Sequence, residues 1–264
     1  MTFSFLPLAR RIGKLAMAAI RKEGGRREIA ENPLGQRTIA ADKWIEDIVA
    51  AELRRSGIPC VLVSEEAGVV EISKNPEWAF VCDPLDGSTN YKKGIPLYCL
   101  GLCYAPVGGR MRDVREAFVL ELVRGEEFYC AKGKGAFRNG KKMQASKVAR
   151  MRDAILSLDF NQEGGTIGRQ RKIGLLGCKD HRRFGPDLLD MCYCACGAVD
   201  GFVHVKKSLS AIHASGAAML EETCVVTDTR GKPLDAALRV DACVDVVAAG
   251  TMGLHKELLA AVGR

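Results

Sequence analysis

Asp83 and Asp86 stand three residues apart in the string Asp83-Pro84-Leu85-Asp86-Gly87-Ser88-Thr89-Asn90. Pro84 fixes its own φ and stiffens the turn between them. Two carboxylates on one tight turn repel each other unless a cation neutralises them. Hard oxygen donors of this kind suit Mg²⁺. Gly87 followed by hydroxyl residues can open a helix, whose first N–H groups then point at an anion. Metal carboxylates beside an anion cradle make a site for a phosphate ester. Each residue taken singly reads equally well as an Asx turn or a helix cap; the whole string argues for the site.

The elements that must position this string are legible from periodicity. Residues 78–82 read as a strand running straight into Asp83, and residues 61–63 as a strand leading to Ser64-Glu65-Glu66. Residues 38–56 read as a helix, with Ile45, Val49 and Leu53 four apart and Gly57 and Pro59 ending it. Residues 6–22 read as a first helix. Residues 21–36 are polar, hold three glycines and a proline, and read as a mobile loop, of which residues 24–36 can close over metal and substrate. Residues 97–105, 117–122, 127–131 and 135–138 read as an antiparallel meander, with Asn139-Gly140 as a hairpin turn. After Lys147 strands alternate with helices: strands at 154–158, 202–205, 225–227 and 244–249, and helices at 186–197, 210–222 and from Gly253. The expected organisation is an α+β metal-binding half, residues 1–147, and an α/β substrate-side half, residues 148–264, in alternating helix and sheet layers.

Composition narrows the classes. The chain has 264 residues, 47% apolar and 27% charged, as a soluble globular protein does. No apolar run reaches the roughly 18–20 residues of a membrane span. The apolar start ahead of Arg10 and Arg11 has its charge on the wrong side for an export signal. A net charge of +7 is compatible with an acidic partner, but the cations are dispersed, so nucleic acid is not expected. The eleven cysteines form no CxxC pair, which argues against a zinc site of that type, and their odd number argues against full disulfide pairing. A cytoplasmic location is the expectation, and an oxidised cytoplasm would permit one or two disulfides.

The motif at 83–90 resembles the signature of the inositol monophosphatase family, which includes archaeal fructose-1,6-bisphosphatases. Thr38-Ile39-Ala40-Ala41-Asp42, Ser64-Glu65-Glu66, Gly133-Lys134-Gly135-Ala136-Phe137 with Asn139-Gly140, Phe184-Gly185, and Gly197-Ala198-Val199-Asp200-Gly201 resemble further family segments, in order along nearly the whole chain. The resemblance implies a layered αβαβα sandwich and a Mg²⁺-dependent phosphatase of small phosphorylated metabolites, often a homodimer. Glu65, Asp83 and the Leu85 carbonyl would hold one Mg²⁺, and Asp83 and Asp86 a second. A metal-activated water would attack directly, helped by Glu65 and by the Ser88 hydroxyl, which Asp42 orients. The N–H groups of Gly87, Ser88 and Thr89 would receive the phosphate.

The sequence departs from that pattern at the remaining metal ligand. Where the family places an Asp on a late helix this chain has His213, and no Asp lies between Asp200 and Asp228. Imidazole is a poor Mg²⁺ ligand. Three consequences are open: a weak second Mg²⁺ site, a site for Mn²⁺ or Zn²⁺, or loss of activity. The substrate side differs too. Pro186 and Asp187 follow Gly185 where small residues are usual, and His204 stands where inositol phosphatases have an acidic residue. Arg182 and Arg183, with Lys206 and Lys207, are candidates for a second phosphate. The leading substrates are inositol-1-phosphate and fructose-1,6-bisphosphate. The alternatives are 3′-phosphoadenosine 5′-phosphate or NADP, and a catalytically impaired binding or regulatory protein.

Overall fold

The computed structural model describes residues 3–33, 35, 37–159 and 177–263, without the side chains of 206–208. Lys206 and Lys207 therefore lie outside the described side chains. Helix α1 (Phe5–Ala19) buries Phe5, Leu8, Ile12, Ala16 and Ala19, the spacing of one helical face. Strand β1 (Glu28–Glu31), inside the segment expected to be a loop, pairs antiparallel with β2 (Arg37–Ile39), which follows that segment. All four β1 residues are exposed, so backbone pairing rather than burial makes this strand, and no apolar alternation announces it. Helix α2 (Ala40–Ser56) follows, two residues later than expected because Thr38 and Ile39 belong to β2.

The first main sheet has eight strands: β3 (Cys60–Ser64), β4 (Gly68–Glu71), β5 (Trp78–Asp86), β6 (Cys99–Pro106), β7 (Glu116–Glu121), β8 (Glu127–Ala131), β9 (Gly135–Arg138) and β10 (Lys141–Lys142). Their order is β10-β9-β8-β7-β6-β5-β3-β4. All neighbours are antiparallel except β3 and β5. Asn139 and Gly140, at φ 50° and 76°, turn the β9–β10 hairpin, and only residues tolerant of positive φ fit there.

The second sheet has the order β12-β11-β13-β15-β14, from β11 (Ile155–Asp159), β12 (Asp180–Arg182), β13 (Gly201–Ser210), β14 (Val225–Thr227) and β15 (Cys243–Ala249). Strand β11 runs parallel to β12 and β13, while β15 is antiparallel to β13 and β14. Strand β13 is longer than expected and reaches Ser210, whose side chain caps the 3₁₀ turn Ala211–His213 by accepting from Ile212 N–H at 3.2 Å.

Helices α3 (Ser88–Lys93), α4 (Asp187–Ala195), α5 (Ala214–Glu221) and α6 (Met252–Val262) complete the fold. Three buried clusters define its layers. Ile12, Ile45, Val49 and Leu53 of α1 and α2 pack on Phe80, Leu100, Leu102 and Phe118 of the first sheet. Leu188, Met191 and Met219 of α4 and α5 fill the space between Val119 and Phe128 on one side and Phe202, Val246 and Ala248 on the other. Leu254 and Leu258 of α6 cover Leu156, Val203 and Val247 on the outer face. The expected αβαβα sandwich is the architecture observed. Both faces of each sheet are buried at its centre. Neighbouring residues such as Phe202 and Val203 are therefore both apolar yet enter different cores.

All eleven cysteines are thiols, and Cys192 and Cys194 are buried in α4. Among the described residues no helix is long and apolar enough to cross a membrane.

Candidate active site

The register of β5 against β6 slips between Asp83, opposite Gly101, and Asp86, opposite Cys99. One extra residue on β5 makes a bulge, which re-aims side chains at the end of a strand. A bulge also accommodates Pro84, which has no N–H to give the ladder. Asp83 Oδ1 accepts the Leu85 N–H at 3.1 Å. Asp86 Oδ2 accepts the Leu188 N–H at 2.7 Å, tying the motif to the start of α4. Parallel pairing of β3 with β5 puts Glu65 alongside, its N–H donating to Cys82 C=O at 3.3 Å. The 3₁₀ turn brings in His213, with Nε2 3.0 Å from Asp83 Oδ2. One donor atom from each of Glu65, Asp83 and His213 lies within 4.8 Å of the others.

The remaining candidates surround this group. Asp42, buried in the first turn of α2, accepts the Ile39 N–H at 2.8 Å. Ser88 opens α3, and no hydrogen bond joins its hydroxyl to Asp42 among the described residues. Gly87 precedes it at φ 91°, where a Cβ would lie 2.7 Å from Pro186 Cγ, so a side chain is excluded by both strain and contact. Thr89 is exposed and the Leu85 side chain is buried in the core. Gly185 lies beside Asn90, whose amide donates to Leu97 C=O at 2.9 Å and Phe184 C=O at 2.8 Å. Asp187 has one oxygen 3.5 Å from His204 Nδ1 and the other 3.7 Å from His213 Nδ1. Arg182 is engaged by Asp180 at 2.7 Å, and Arg183 by Asp159 at 2.8 Å.

Sequence reading singled out no role for Glu66 or Asp159. Thr38 donates its hydroxyl to Glu66, and Glu66 adds negative charge beside Asp42 and Asp83. Its adjacency to Glu65 was the one local sign. Asp159 ends β11 as the register partner of His204, a pairing that no local pattern reveals.

The electrostatics are those of a cluster with too much negative charge. Burial, then Asp83, pushes the Glu65 carboxyl well up from its ordinary value. Burial, then Asp42 and Glu66, does the same to Asp83. Burial, then Asp83, raises Asp86. Burial and Glu66 push Asp42 up to about 8. For His213 burial opposes the imidazolium, but Asp86, Asp187 and Glu65 outweigh it and raise its value. Asp187 is lowered, because His204 and His213 outweigh its burial. Two buried carboxylates and a half-buried one facing one imidazole form a mostly oxygen donor set with surplus charge, which fits a divalent cation.

A pH dependence follows for the metal-free protein. Groups raised in the folded state hold protons that the unfolded chain releases, so stability is greatest in acid and falls as pH rises. For Asp42 the window runs from its usual 3.8 to about 8, and it accounts for at most about 6 kcal/mol. The raised His213 acts in the same direction, since its contribution is lost as pH climbs through its folded value. In EDTA, Tm is expected to fall steadily between pH 5 and pH 8 and to recover on adding Mg²⁺. A Tm that is flat or rises over that interval contradicts this account.

The sequence matches the inositol monophosphatase family over residues 2–263, and the chain belongs to that family. It is 31% identical over 240 residues to a fructose-1,6-bisphosphatase/inositol-1-monophosphatase of Methanothermobacter thermautotrophicus, covering 85% of this chain and 83% of the relative. It is also 31% identical over 225 residues to a bifunctional NADP phosphatase/NAD kinase of Methanococcus maripaludis, covering 77% of this chain but only 39% of that longer protein. A crystal structure of an inositol monophosphatase-fructose 1,6-bisphosphatase superposes with a TM-score of 0.85 at 24% identity, covering 98% of this chain and 100% of the other. The suhB extragenic suppressor protein of Bartonella henselae superposes with a TM-score of 0.84 at 23% identity, over 98% of each chain.

Proposed function

We propose that this protein hydrolyses a small phosphate monoester, with fructose-1,6-bisphosphate and inositol-1-phosphate as the leading substrates. The observation that carries the reading is the convergence of Glu65, Asp83, Asp86 and His213 on one buried, charge-surplus cluster beside the Gly87-Ser88-Thr89 turn. The name of the Methanothermobacter relative supports the choice of esters.

In this reading Glu65, Asp83, Asp86, His213 and the Leu85 carbonyl hold the metal. Bound Mg²⁺ would neutralise the carboxylates, lower the pKa of a water and draw charge from the phosphoryl oxygens. The chain supplies the rest. Glu65 accepts the proton of the attacking water, and Ser88 orients that water. The N–H groups of Gly87, Ser88 and Thr89 hold the phosphate. The water oxygen bonds to phosphorus as the ester P–O bond breaks, and the leaving oxygen takes up a proton from solvent water to depart as the alcohol, so no phosphoenzyme forms. Leu188 N–H fixes Asp86, and Leu85 N–H fixes Asp83. Preorganised groups of this sort need no rearrangement at the moment of reaction.

A second reading, hydrolysis of the 2′-phosphate of NADP, is favoured by the Methanococcus relative. Phosphate release from fructose-1,6-bisphosphate, inositol-1-phosphate and NADP, across wide ranges of Mg²⁺ and Mn²⁺, tests both. Metal-dependent release from a sugar or inositol ester is expected. Release from NADP alone moves the assignment to the second reading. No release from any ester with either ion points to a binding role and sinks the catalytic one.

A further inference from the structure

A second group of metal-ligating side chains lies beside the first and is made of different residues. Asp159 ends β11 and His204 lies on β13, where the two are direct partners in the parallel register. Their side chains therefore leave the same face of the sheet. Asp187, the first residue of α4, comes down on them from above. One donor atom from each of the three lies within 4.8 Å of the others.

We infer that Asp159, Asp187 and His204 form a divalent-cation site of their own, one that takes a transition-type ion such as Zn²⁺ or Mn²⁺ in preference to Mg²⁺. Imidazole nitrogen with two carboxylates is a donor set such ions accept and Mg²⁺ does not favour. The spacing agrees. A tetrahedral ion with bonds of about 2.0–2.1 Å needs its donors roughly 3.3–3.4 Å apart. Asp187 Oδ1 and His204 Nδ1 are 3.5 Å apart.

A second observation points into the same place. His213 turns its Nε2 to Asp83, while its Nδ1 is buried without a hydrogen-bond partner and faces the other oxygen of Asp187 at 3.7 Å. Its ring thus stands between the two groups, and its Nδ1 can support Asp187 when an ion is held. Asp187 lies between two imidazole nitrogens at distances longer than an ordinary N···O hydrogen bond.

Arg183 is a competing cation, donating to Asp159 Oδ2 at 3.2 and 2.8 Å. Its side chain is 44% exposed, so solvent screens its charge and an incoming ion competes with it for the carboxylate. The Asp159 and Asp187 side chains, 12% and 16% exposed, leave the group within reach of an ion from solvent.

The test uses the full-length protein stripped of metal and titrated with Co²⁺. Equilibrium dialysis counts the bound ions, and visible absorption detects imidazole ligation. The wild type is expected to bind about one more Co²⁺ per chain than either His204→Ala or Asp159→Asn. Excess Mg²⁺ should leave that ion in place. Asp83→Asn is expected to lose the other ion and keep this one. Circular dichroism checks the fold of each variant; if His204→Ala is misfolded, Asp159→Asn decides alone, since it keeps the side-chain shape at a strand end. Equal Co²⁺ binding and equal spectra in wild type and Asp159→Asn overturn the inference. The readout is ion binding, so it stands or falls separately from phosphate release.

Discussion

Asp83→Asn is expected to lower phosphate release by about 10³-fold or more, the scale on which a single preorganised charged group acts. Asp83 is the residue that touches most of the cluster. One oxygen accepts Leu85 N–H and the other faces His213 at 3.0 Å, with Glu65 within ligand distance. Asparagine preserves the shape. Its Oδ1 still accepts from Leu85, and its amide can donate to the His213 nitrogen. What disappears is the charge, and with it the ability to hold a divalent ion against two neighbouring carboxylates. The same loss relieves repulsion in the metal-free protein. In EDTA the variant is therefore expected to be more stable than the wild type by about 1–2 kcal/mol, as often happens when a functional charge cluster is reduced. Activity assays and urea denaturation check the two halves. Wild-type turnover in this variant contradicts the site assignment, and reduced stability without metal contradicts the account of its electrostatics.

His213→Asp is expected to lower the half-saturating Mg²⁺ concentration by at least about tenfold, or roughly 1.4 kcal/mol. The imidazole is a soft nitrogen donor, and its raised pKa means that an incoming cation competes with a proton. A carboxylate is a hard ligand with a full negative charge. The variant should therefore bind Mg²⁺ more tightly and respond less to Mn²⁺. The substitution also removes an imidazole whose positive form faces Asp83, Asp86, Glu65 and Asp187. Without metal its Tm should fall below that of the wild type and then rise steeply with added Mg²⁺. An unchanged Mg²⁺ activation curve would show that His213 does not face the ion.

The two variants move metal-free stability in opposite directions for one reason. The cluster holds more negative than positive charge before an ion arrives. Removing a carboxylate relieves it, and removing the imidazole worsens it. A merely structural role for His213 would not produce a Tm that rises more steeply with Mg²⁺ in the variant than in the wild type.

The sequence by itself determined the local chemistry and most of the elements. The Asp83 to Asn90 string, the helical spacing of Ile45, Val49 and Leu53, the Asn139-Gly140 turn and the layered sandwich were all legible there. Each depends on interactions between residues close in the chain, or on an ordered set of motifs. The absence of an Asp between Asp200 and Asp228 was also plain, and it made His213 conspicuous.

The tertiary structure decided what depends on chain crossing. The β1 strand is made by pairing with β2 alone, with no buried face to mark it. The bulge that separates Asp83 from Asp86 exists only in the register with β6. The contact of His213 with Asp83 spans 130 residues, and that of Leu188 with Asp86 spans 102. Asp159 looks like any strand-end charge until parallel pairing sets it beside His204. Sequence pattern reports which face a residue occupies, because periodicity is local. Which distant side chains share a few ångströms is fixed by sheet register and helix packing, and those are properties of the whole fold.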